Sequence, residues 1–493
     1  MQKSVLYTVL IVLISNLGFS QIQFEISYST GRNDQARAIV QTFDDGYAVI
    51  GSTENYDGNT DVYLMKVDVN GSFLWAKRYG GYGMDGGEDI IQTPDSGFAI
   101  VGYGQPNNNY DVFFIRTDKN GDTLYTRYFG GNDWDLGYSI QFTSDNGFLL
   151  AGETHDAGNS KGYLIKLNSK GKTIWTKTFG GNGLDKFEDV IITMADEYLM
   201  AGETSSFGNN RQAYLVKTDT AGNITWEKNY GAPGINFAKS VCELPTGHFI
   251  VAGGTNTLPS PDIDNWGFRI NSIGNFIDHD VVEDYMSTNP IDQNDDWHQV
   301  VIPQKDSLIF GGKRSYENFE PGNIYIRRFK QTTLNSPGYI NDYQKLMSAG
   351  EDIVYDAKIT SDNGVIFACT GERMDTSAAS IYLIKMDSTM KYPHPFYNSV
   401  LFTNDFTAID ESEEIKEFIV YPNPNSGIVS LKVLGVDTEK EIIIHNLNGT
   451  LIRKEKMNNE FKTMDLTQFN TGVYLITVNS ENFSSTKKLV ISK

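Results

Sequence analysis

The chain has 493 residues, 40% of them hydrophobic and 12% aromatic, so it is long enough to form more than one buried core. Its 41 Lys and Arg residues are outnumbered by 62 Asp and Glu residues, which gives a formal net charge of −21. This acidic balance argues against nucleic acid as a partner, because phosphate backbones bind basic surfaces.

The first twenty residues have the pattern of a secretory signal peptide. Lys3 precedes a mostly apolar run over residues 5–17, and residues 18–20 place small side chains at the −3 and −1 positions of a cleavage site. The run is too short to span a bilayer comfortably, and no later segment is apolar enough to do so. We therefore expect residues 1–20 to be removed, and we expect no transmembrane anchor.

A block of about 50 residues then recurs along the chain. In three head-to-tail copies, residues 45–81, 95–131 and 145–181, a D-x-G-[FY] turn precedes an apolar run that closes on glycine. A second apolar run then ends in Lys or Arg before another tight turn. The closing glycines are Gly51, Gly102, Gly152, Gly202 and Gly253, with looser copies around Gly311-Gly312 and Gly371. Each block predicts four short antiparallel strands, and glycine is expected to supply the positive φ of the turns, as at Gly97.

Sheets this small cannot bury both faces alone, so neighbouring copies must stack. The predicted arrangement is a seven-bladed β-propeller with four-stranded blades over residues 21–400. Residues 22–29 match the fourth strand of a repeat by position and pattern, and we expect them to join the last blade and close the ring. The proline-containing stretch 391–395 is a poor strand candidate, so the last blade can lack a regular fourth strand of its own.

After an acidic linker over residues 401–417, a new pattern of short strands begins at Phe418. It predicts a small C-terminal β-sandwich over residues 418–493, which completes an all-β chain. The motifs run in the order Y-P-N-P-x-x-G, N-x-x-G, D-L followed by G-x-Y, and a basic final strand.

This order resembles the type A C-terminal sorting domain of the type IX secretion system of Gram-negative, Bacteroidetes-type bacteria. The resemblance implies that the secretion machinery is a partner of the tail, which guides export across the outer membrane. The tail is then usually removed, and the mature protein is anchored at the surface or released. The positions that carry over are Tyr421, Pro422, Asn423, Pro424, Gly427, Asp465, Gly472, Tyr474 and Lys488. An accessory binding sandwich is the alternative.

The repeats also resemble the uncharacterised propeller-like repeats that are common in proteins with this sorting domain, a resemblance that implies no activity. Three aspartates follow the Gly-Gly pairs that end the repeats and should lie on one face of the ring, either as a ligand-binding rim or as acceptors that shape their own loops. Loop aromatics on the same face could stack on sugars. These candidates are Asp85, Asp135, Asp185, Tyr82 and Trp134, with Tyr110 as a further aromatic.

No recognisable catalytic constellation, cofactor motif or metal motif is present. Residues 292–296 begin like a calcium loop, but Trp297 replaces the required glycine. Six scattered histidines lack metal-ligand spacing, and Cys242 and Cys369 are read as buried fillers without a disulfide.

The sequence favours a non-enzymatic protein of the cell surface or the surroundings of a Gram-negative bacterium. Its propeller would bind a glycan or a protein in an adhesive role. A polysaccharide hydrolase or lyase built on a propeller is the first alternative, because fold does not determine function. A passive surface-coat protein is the second.

Overall fold

The computed structural model describes residues 22–491 except for nineteen segments: 56–57, 82, 107–108, 157, 209, 257–262, 283–296, 315–322, 332–333, 335–338, 346–351, 373–377, 391–397, 402–416, 422–427, 435–439, 447–449, 460 and 481–482. The described residues form strands and turns, which confirms the all-β prediction. They divide into two compact units, residues 1–404 and 405–493. Within the described part of the chain there is no apolar helix of membrane-spanning length.

Strand β1 (Phe24–Ser29) comes first in the chain but belongs to the last sheet of the first unit. Each of the next sheets contains four antiparallel strands in chain order. Sheet 1 is β2 (Asp34–Gln41), β3 (Tyr47–Glu54), β4 (Thr60–Val67) and β5 (Phe73–Tyr79). Sheet 2 is β6 (Gly86–Gln92), β7 (Phe98–Gly104), β8 (Asp111–Thr117) and β9 (Thr123–Phe129). Sheet 3 is β10 (Asp135–Phe142), β11 (Phe148–Asp156), β12 (Asn159–Leu167) and β13 (Thr173–Phe179).

The later repeats keep this plan. Sheet 4 is β14 (Asp185–Ile192), β15 (Tyr198–Thr204), β16 (Gln212–Thr218) and β17 (Ile224–Tyr230). Sheet 5 is β18 (Asn236–Glu243), β19 (Phe249–Thr255), β20 (Asp264–Ile270) and β21 (Phe276–Val282). Sheet 6 is β22 (Trp297–Gln304), β23 (Ser307–Arg314), β24 (Asn323–Lys330) and β25 (Tyr339–Lys345). Sheet 7 contains β26 (Ile353–Ile359), β27 (Val365–Glu372), β28 (Ala379–Met386), β1 and β29 (Asn398–Leu401).

The hydrophobic cores lie between sheets. The cluster around Ile50 and Ile100 joins side chains of sheets 1 and 2, and the cluster around Ile309 and Phe367 joins sheets 6 and 7. Other clusters join sheets 2 and 3, 3 and 4, 4 and 5, and 5 and 6. Because each middle strand is buried on both faces, it reads as an unbroken apolar run and not as an alternating one.

Strand β1 completes sheet 7, as residues 22–29 were predicted to do. It pairs antiparallel with β28, with Ile26 opposite Leu383. On its other edge it pairs in parallel with β29, with Ile26 opposite Asn398. This fifth strand was not predicted. Sheets 7 and 1 are also joined directly, since the Ile39 N–H donates to Asp356 Oδ2 at 2.9 Å.

The first strand of each sheet in chain order (β2, β6, β10, β14, β18, β22 and β26), here termed the inner strand, contains a β-bulge. This bulge explains the repeated glycine. The extra residue shifts the register opposite the glycine, for example between Gly137 and Ser139 in sheet 3. A Cβ on Gly152 would lie 1.9 Å from the Leu136 carbonyl oxygen, and the glycines of sheets 1, 2, 4 and 5 meet equivalent carbonyls at 1.9 to 2.0 Å. In sheet 7 the equivalent residue is Cys369, which pairs with Val354, so the assignment of Gly371 to this position was wrong.

The D-x-G turns join the first two strands of most repeats and pair with the basic residue of the third strand. In sheet 3, Lys166 Nζ donates to both carboxylate oxygens of Asp145 at 2.8 Å, and Arg116 is paired with Asp95 in sheet 2. The positive φ lies on the middle residue, with 68° at Ser96, so the expectation for Gly97 was wrong. Gly97 is needed for space, because a Cβ there would lie 2.2 Å from the Thr117 carbonyl oxygen.

Sheet 6 contains a buried histidine, His298, whose environment disfavours the protonated, charged imidazole. His298 is 1% exposed, and its ring is tilted by 37° against Phe310 with centroids 4.7 Å apart. Its Nδ1 has no hydrogen-bond partner among the described residues. Burial, together with the nearby Arg327 charge, holds the pKa of this imidazole well below its ordinary value.

We therefore expect stability to fall as the pH drops below about 6.5, because the unfolded chain gains a proton that folded His298 rejects. The slope contributed is about 1.4 kcal/mol per pH unit. Urea unfolding of the wild type and of His298→Phe between pH 7.5 and 5 would measure it, since Phe keeps the ring and removes the titration. Parallel pH profiles for the two proteins would contradict this account.

The second unit contains two antiparallel sheets. Sheet 8 has the order β30 (Glu417–Tyr421), β31 (Ile428–Leu434) and β34 (Phe461–Asp465). Sheet 9 has the order β33 (Leu451–Met457), β32 (Lys440–Asn446), β35 (Gly472–Ser480) and β36 (Phe483–Ile491). Val429, Leu431 and Met464 of sheet 8 share one buried cluster with Ile444 and Ile476 of sheet 9.

Candidate functional site

The inner strands of sheets 1 to 7 line a cavity of about 740 Å³. The first ring of lining residues, here termed the bulge ring, consists of the extra residue of each inner strand: Arg37, Glu88, Tyr138, Glu188, Lys239, Gln299 and Tyr355. The bulge therefore does more than bend the strand, because it turns one side chain per sheet into the cavity.

Two further rings follow along the same strands. The middle ring is Ala38, Asp89, Ser139, Asp189, Ser240, Val300 and Asp356. The third ring is mostly apolar and consists of Val40, Ile91, Gln141, Ile191, Cys242, Ile302 and Lys358. The cavity thus changes from charged and aromatic at the bulge ring, where the inner strands begin, to largely apolar near the hairpins at the other end.

The middle ring forms a hydrogen-bond relay from one sheet to the next. Each bulge leaves a backbone N–H on the inner strand that the strand's own ladder does not use. Asp89 of sheet 2 accepts the Ile140 N–H of sheet 3 at 2.9 Å, and Asp189 of sheet 4 accepts the Val241 N–H of sheet 5 at 2.9 Å. Ser139 and Ser240 accept the corresponding N–H groups of the following sheets at 3.3 Å.

Two members of the middle ring are apolar, yet the N–H groups next to them still have hydrogen-bond acceptors. Ala38 and Val300 cannot accept a hydrogen bond, and the N–H groups that would face them belong to Ile90 and Ala357. Each of these N–H groups donates instead to the Asp just before it, at 2.8 Å, which satisfies the donor locally. The middle-ring carboxylates are therefore structural groups, because they accept backbone N–H groups of the inner strands.

The bulge ring carries the ion pairs. Glu188 Oε1 lies 2.7 Å from both Lys186 Nζ and Lys239 Nζ. Arg37 Nε lies 3.8 Å from Glu88 Oε2, which is an ion pair without a hydrogen bond. In the third ring, Lys358 Nζ binds Asp356 at 2.7 and 2.8 Å.

These neighbours give the carboxyl groups different acidities. Burial opposes ionisation of Glu188, but the charges of Lys239 and Lys186 outweigh it and lower the pKa to about 2. Burial raises the pKa of Glu88, and Arg37 offsets this only in part. Burial also raises the pKa of Asp89 to about 7. The cavity thus contains one glutamate, Glu188, that ionises easily and two carboxyl groups, Glu88 and Asp89, that resist ionisation.

Aromatic side chains extend from the bulge ring to the surface. Tyr103 and Tyr110 meet edge to face with centroids 5.6 Å apart, and Tyr110 meets Trp134 in the same way at 5.4 Å. All three line the cavity, and Trp134 is 55% exposed. Two of the loop aromatics singled out in the sequence are therefore brought together at the opening, whereas Tyr82 lies outside the described residues.

The three predicted aspartates lie at the start of the inner strands but point into their own loops. Asp85, Asp135 and Asp185 are each at most 1% exposed. Their carboxylates accept the N–H of the glycine four residues earlier, at 2.9, 2.7 and 2.9 Å. These contacts agree with the loop-shaping interpretation, and a role in ligand binding stays a prediction.

The same loop position recurs more widely than the sequence analysis recognised. Asp34 accepts the Thr30 N–H at 2.6 Å and the Thr53 hydroxyl at 2.6 Å, and Asn236 accepts the Thr255 hydroxyl at 2.7 Å. The residue three positions after each of these loop residues is the bulged one, so this spacing was the signal that could have located the bulge ring.

Several of the predicted sorting residues shape the tail. The Asp465 carboxylate accepts the N–H of Thr467 at 2.9 Å and its hydroxyl at 2.6 Å. Gly472 begins β35, and the Tyr474 hydroxyl donates to the Asn470 carbonyl at 2.9 Å. Lys488 is exposed on β36, and Tyr421 ends β30. The remaining predicted residues, Pro422, Asn423, Pro424 and Gly427, lie outside the described residues.

Other expectations concern metals and cysteines. Cys242 and Cys369 are both buried, which agrees with their interpretation as small buried fillers. Within the described residues no group of three or more Asp, Glu, His or Cys side chains is arranged to hold a metal ion. The calcium-loop-like segment 292–296 lies outside the described part of the chain.

Comparison with known proteins identifies the tail. Residues 419–492 match the family model of the secretion system C-terminal sorting domain. The chain therefore carries such a domain, which confirms the resemblance predicted from the tail motifs. A type IX sorting domain implies a protein that is secreted or placed on the cell surface of Bacteroidetes. No curated protein matches the chain.

Solved structures that resemble the chain are distant in sequence. The WD40 domain of Pan2 from Neurospora crassa has 9% identity and a TM-score of 0.45, covering 74% of this chain and 91% of that one. PorZ, a surface component of the type IX secretion system of Porphyromonas gingivalis, has 12% identity and a TM-score of 0.37, covering 91% and 69%. The β-propeller domain of the Trilobed protease from Pyrococcus furiosus has 10% identity and a TM-score of 0.40, covering 78% and 100%.

Proposed function

We propose that this protein is an exported, non-enzymatic binding scaffold that holds a glycan at the opening of its central cavity. The observation that carries the proposal is the row formed by Tyr103, Tyr110 and Trp134 beside the charged bulge ring. Aromatic faces pack against the apolar faces of sugar rings, while charged and amide side chains bind the hydroxyl groups.

The architecture that we propose for this scaffold is a closed seven-bladed propeller over residues 21–400. It is supported by the sheets of residues 24–401, by the cores between neighbouring sheets and by the bond from Ile39 to Asp356. A β-sandwich over residues 418–493 follows the linker 401–417, and the core shared by sheets 8 and 9 supports it. After removal of residues 1–20, the tail directs the protein to the secretion machinery.

Replacing Trp134 with Ala is expected to weaken glycan binding about tenfold, because stacking area is lost at the opening. Glycan-array screening of the full chain, followed by calorimetry with the strongest hit, measures the loss. Phe43→Ala is the matched control, since Phe43 is 68% exposed in the β2–β3 turn at the other end of the inner strands.

Equal losses for the two variants would place the ligand elsewhere. Binding of a protein and of no glycan would shift the proposal to protein recognition. Hydrolysis or elimination of a bound polymer would overturn the non-enzymatic assignment.

A polysaccharide hydrolase or lyase is the second candidate. It is favoured by Glu88 and Glu188, whose pKa values are displaced in opposite directions in one cavity, the arrangement that separates an acid from a base. A passive coat protein receives less support, because such a protein does not need an aromatic-lined cavity of about 740 Å³.

A further inference from the structure

Arg37 occupies the bulge ring in a geometry that prepares it for an anion. Its guanidinium carbon lies 4.4 Å from the centroid of the Tyr355 ring, so the plane is held by stacking. Arg37 Nη2 donates to Gln35 at 3.3 Å, and the contact with Glu88 at 3.8 Å is too long for a hydrogen bond. A guanidinium offers five N–H donors, so most of the donor capacity of Arg37 remains for a ligand.

The cations of the cavity are concentrated where the aromatic row begins. At the level of the bulge ring lie Arg37, Lys186 and Lys239, with Glu88 and Glu188 as the acidic partners. Lys186 Nζ also lies 3.4 Å from Glu203 Oε1. Both lysines are thus held in ion pairs of 2.7 Å with Glu188, whereas Arg37 contacts Glu88 only at 3.8 Å.

The acidic groups deeper in the cavity do not compete for this role. Asp89, Asp189 and Asp356 accept backbone N–H groups of the wall at 2.9 Å. Asp356 also binds Lys358. The lone pairs of these carboxylates are therefore largely used within the protein.

The aromatic row starts beside Arg37. Tyr103 pairs with Gly86 of β6, two residues before Glu88, and lines the same cavity as Arg37 and Glu88. Tyr103 contacts Tyr110, and Tyr110 contacts Trp134. A ligand that fits this sequence of groups has an anionic substituent at one end and apolar sugar faces along the row.

We propose that the bound glycan contains sugar acids and that the carboxylate of one unit binds Arg37 as a bidentate partner, displacing its weak contact with Glu88. Arginine is suited to this role, because its planar fork matches the two oxygens of a carboxylate. The inference rests on the proposed glycan-binding function and adds the chemical class of the ligand.

The test is calorimetry of the full chain with four defined probes. These are a galacturonic acid trimer, its methyl ester, a galactose trimer and a sulfated galactose trimer. The acid is expected to bind at least tenfold more tightly than the ester and the galactose trimer. Arg37→Gln is expected to weaken binding of the acid about 10- to 100-fold, the range for loss of a charge-assisted hydrogen-bond pair, and to change the ester little.

Arg127→Gln is the matched control. Arg127 also stacks on a tyrosine, with its guanidinium carbon 4.8 Å from the Tyr125 centroid, but it lies on the exposed outer strand β9. Arg37→Lys keeps the charge without the fork and is expected to recover part of the lost affinity. Circular dichroism of each variant reports whether it is folded, and Arg37→Lys carries the test if Arg37→Gln is not.

The outcomes separate the two proposals. Equal binding of the acid, the ester and the galactose trimer would overturn the sugar-acid inference and leave glycan binding in place. Tighter binding of the sulfated trimer than of the acid would overturn the carboxylate assignment. Acid preference that survives in Arg37→Gln and Arg37→Lys would overturn the role of Arg37. An absence of glycan binding on the array and with all four probes would overturn both proposals.

Discussion

Replacing Tyr28 with Ala is expected to lower the free energy of unfolding of the first unit by about 3–5 kcal/mol, the range for loss of a buried aromatic side chain. Tyr28 lies on the closing strand β1 and is 2% exposed. Its hydroxyl donates to the Gly71 carbonyl in the hairpin of sheet 1, so it connects sheet 7 to sheet 1.

The same contact joins other neighbouring sheets, which supports its structural role. The Tyr79 hydroxyl donates to the Gly121 carbonyl at 2.6 Å, and the Tyr230 hydroxyl donates to the Gly274 carbonyl at 2.7 Å. Strand β1 therefore connects sheet 7 to sheet 1 in the same way that β5 connects sheet 1 to sheet 2 and β17 connects sheet 4 to sheet 5.

Urea unfolding of the full chain, followed by near-ultraviolet circular dichroism, measures the effect. Tyr28→Phe isolates the hydrogen bond and is expected to cost about 1 kcal/mol. Tyr128→Ala is the matched control, because Tyr128 lies on the outer strand β9 and is 39% exposed. If Tyr28→Ala were no more damaging than Tyr128→Ala, β1 would not be needed to hold sheets 7 and 1 together.

Replacing Gly152 with Ala is expected to destabilise the first unit by about 3 kcal/mol or more. The added methyl group would lie 1.9 Å from the Leu136 carbonyl oxygen and 3.0 Å from the Gly137 Cα. Both are backbone atoms of a bulged inner strand, so the clash cannot be relieved by a change of rotamer. The strand must move, and with it the neighbouring members of the bulge ring.

Gly131→Ala is the matched control, since a Cβ at Gly131 meets no atom within 4 Å. This variant is expected to change the urea midpoint little. Ligand affinity can be compared for the same two variants. Gly152→Ala is expected to weaken binding more, because movement of β10 would displace Tyr138 from the cavity wall. Equal urea midpoints for Gly152→Ala and Gly131→Ala would show that the bulged strand can shift to accommodate the methyl group without loss of stability.

The repeats could be predicted because their regular residues do the same physical work in each copy. Gly152 makes room for a bulge, Asp145 anchors a turn, and Asp185 holds a loop, so each recurs with the period of the fold. The bulge ring recurs in position, but its residue type changes from one repeat to the next. Its members include Arg37, Glu88, Tyr138 and Gln299, which line the cavity and do not share one packing environment.

Strand β29 lay beyond sequence-based prediction for a related reason. It has only four residues, and its partner β1 is at the other end of the first unit. Neither apolar periodicity nor a turn signal marks such a strand, because parallel pairing needs no local connection. The closing strand β1, by contrast, could be recognised because it repeats the alternation of the outer strands.

The pairing of Phe24 with Lys385 sets an order of events for biogenesis. The segment that completes the first unit is synthesised first, yet its partner strand emerges only after all the other repeats. During export β1 must therefore wait without its native neighbours, and the incomplete sheet 7 keeps an open edge of unpaired amides until then. Non-local pairing of this kind slows folding, so we expect the docking of β1 on β28 to be a late and slow step, during which the open edge is exposed to aggregation.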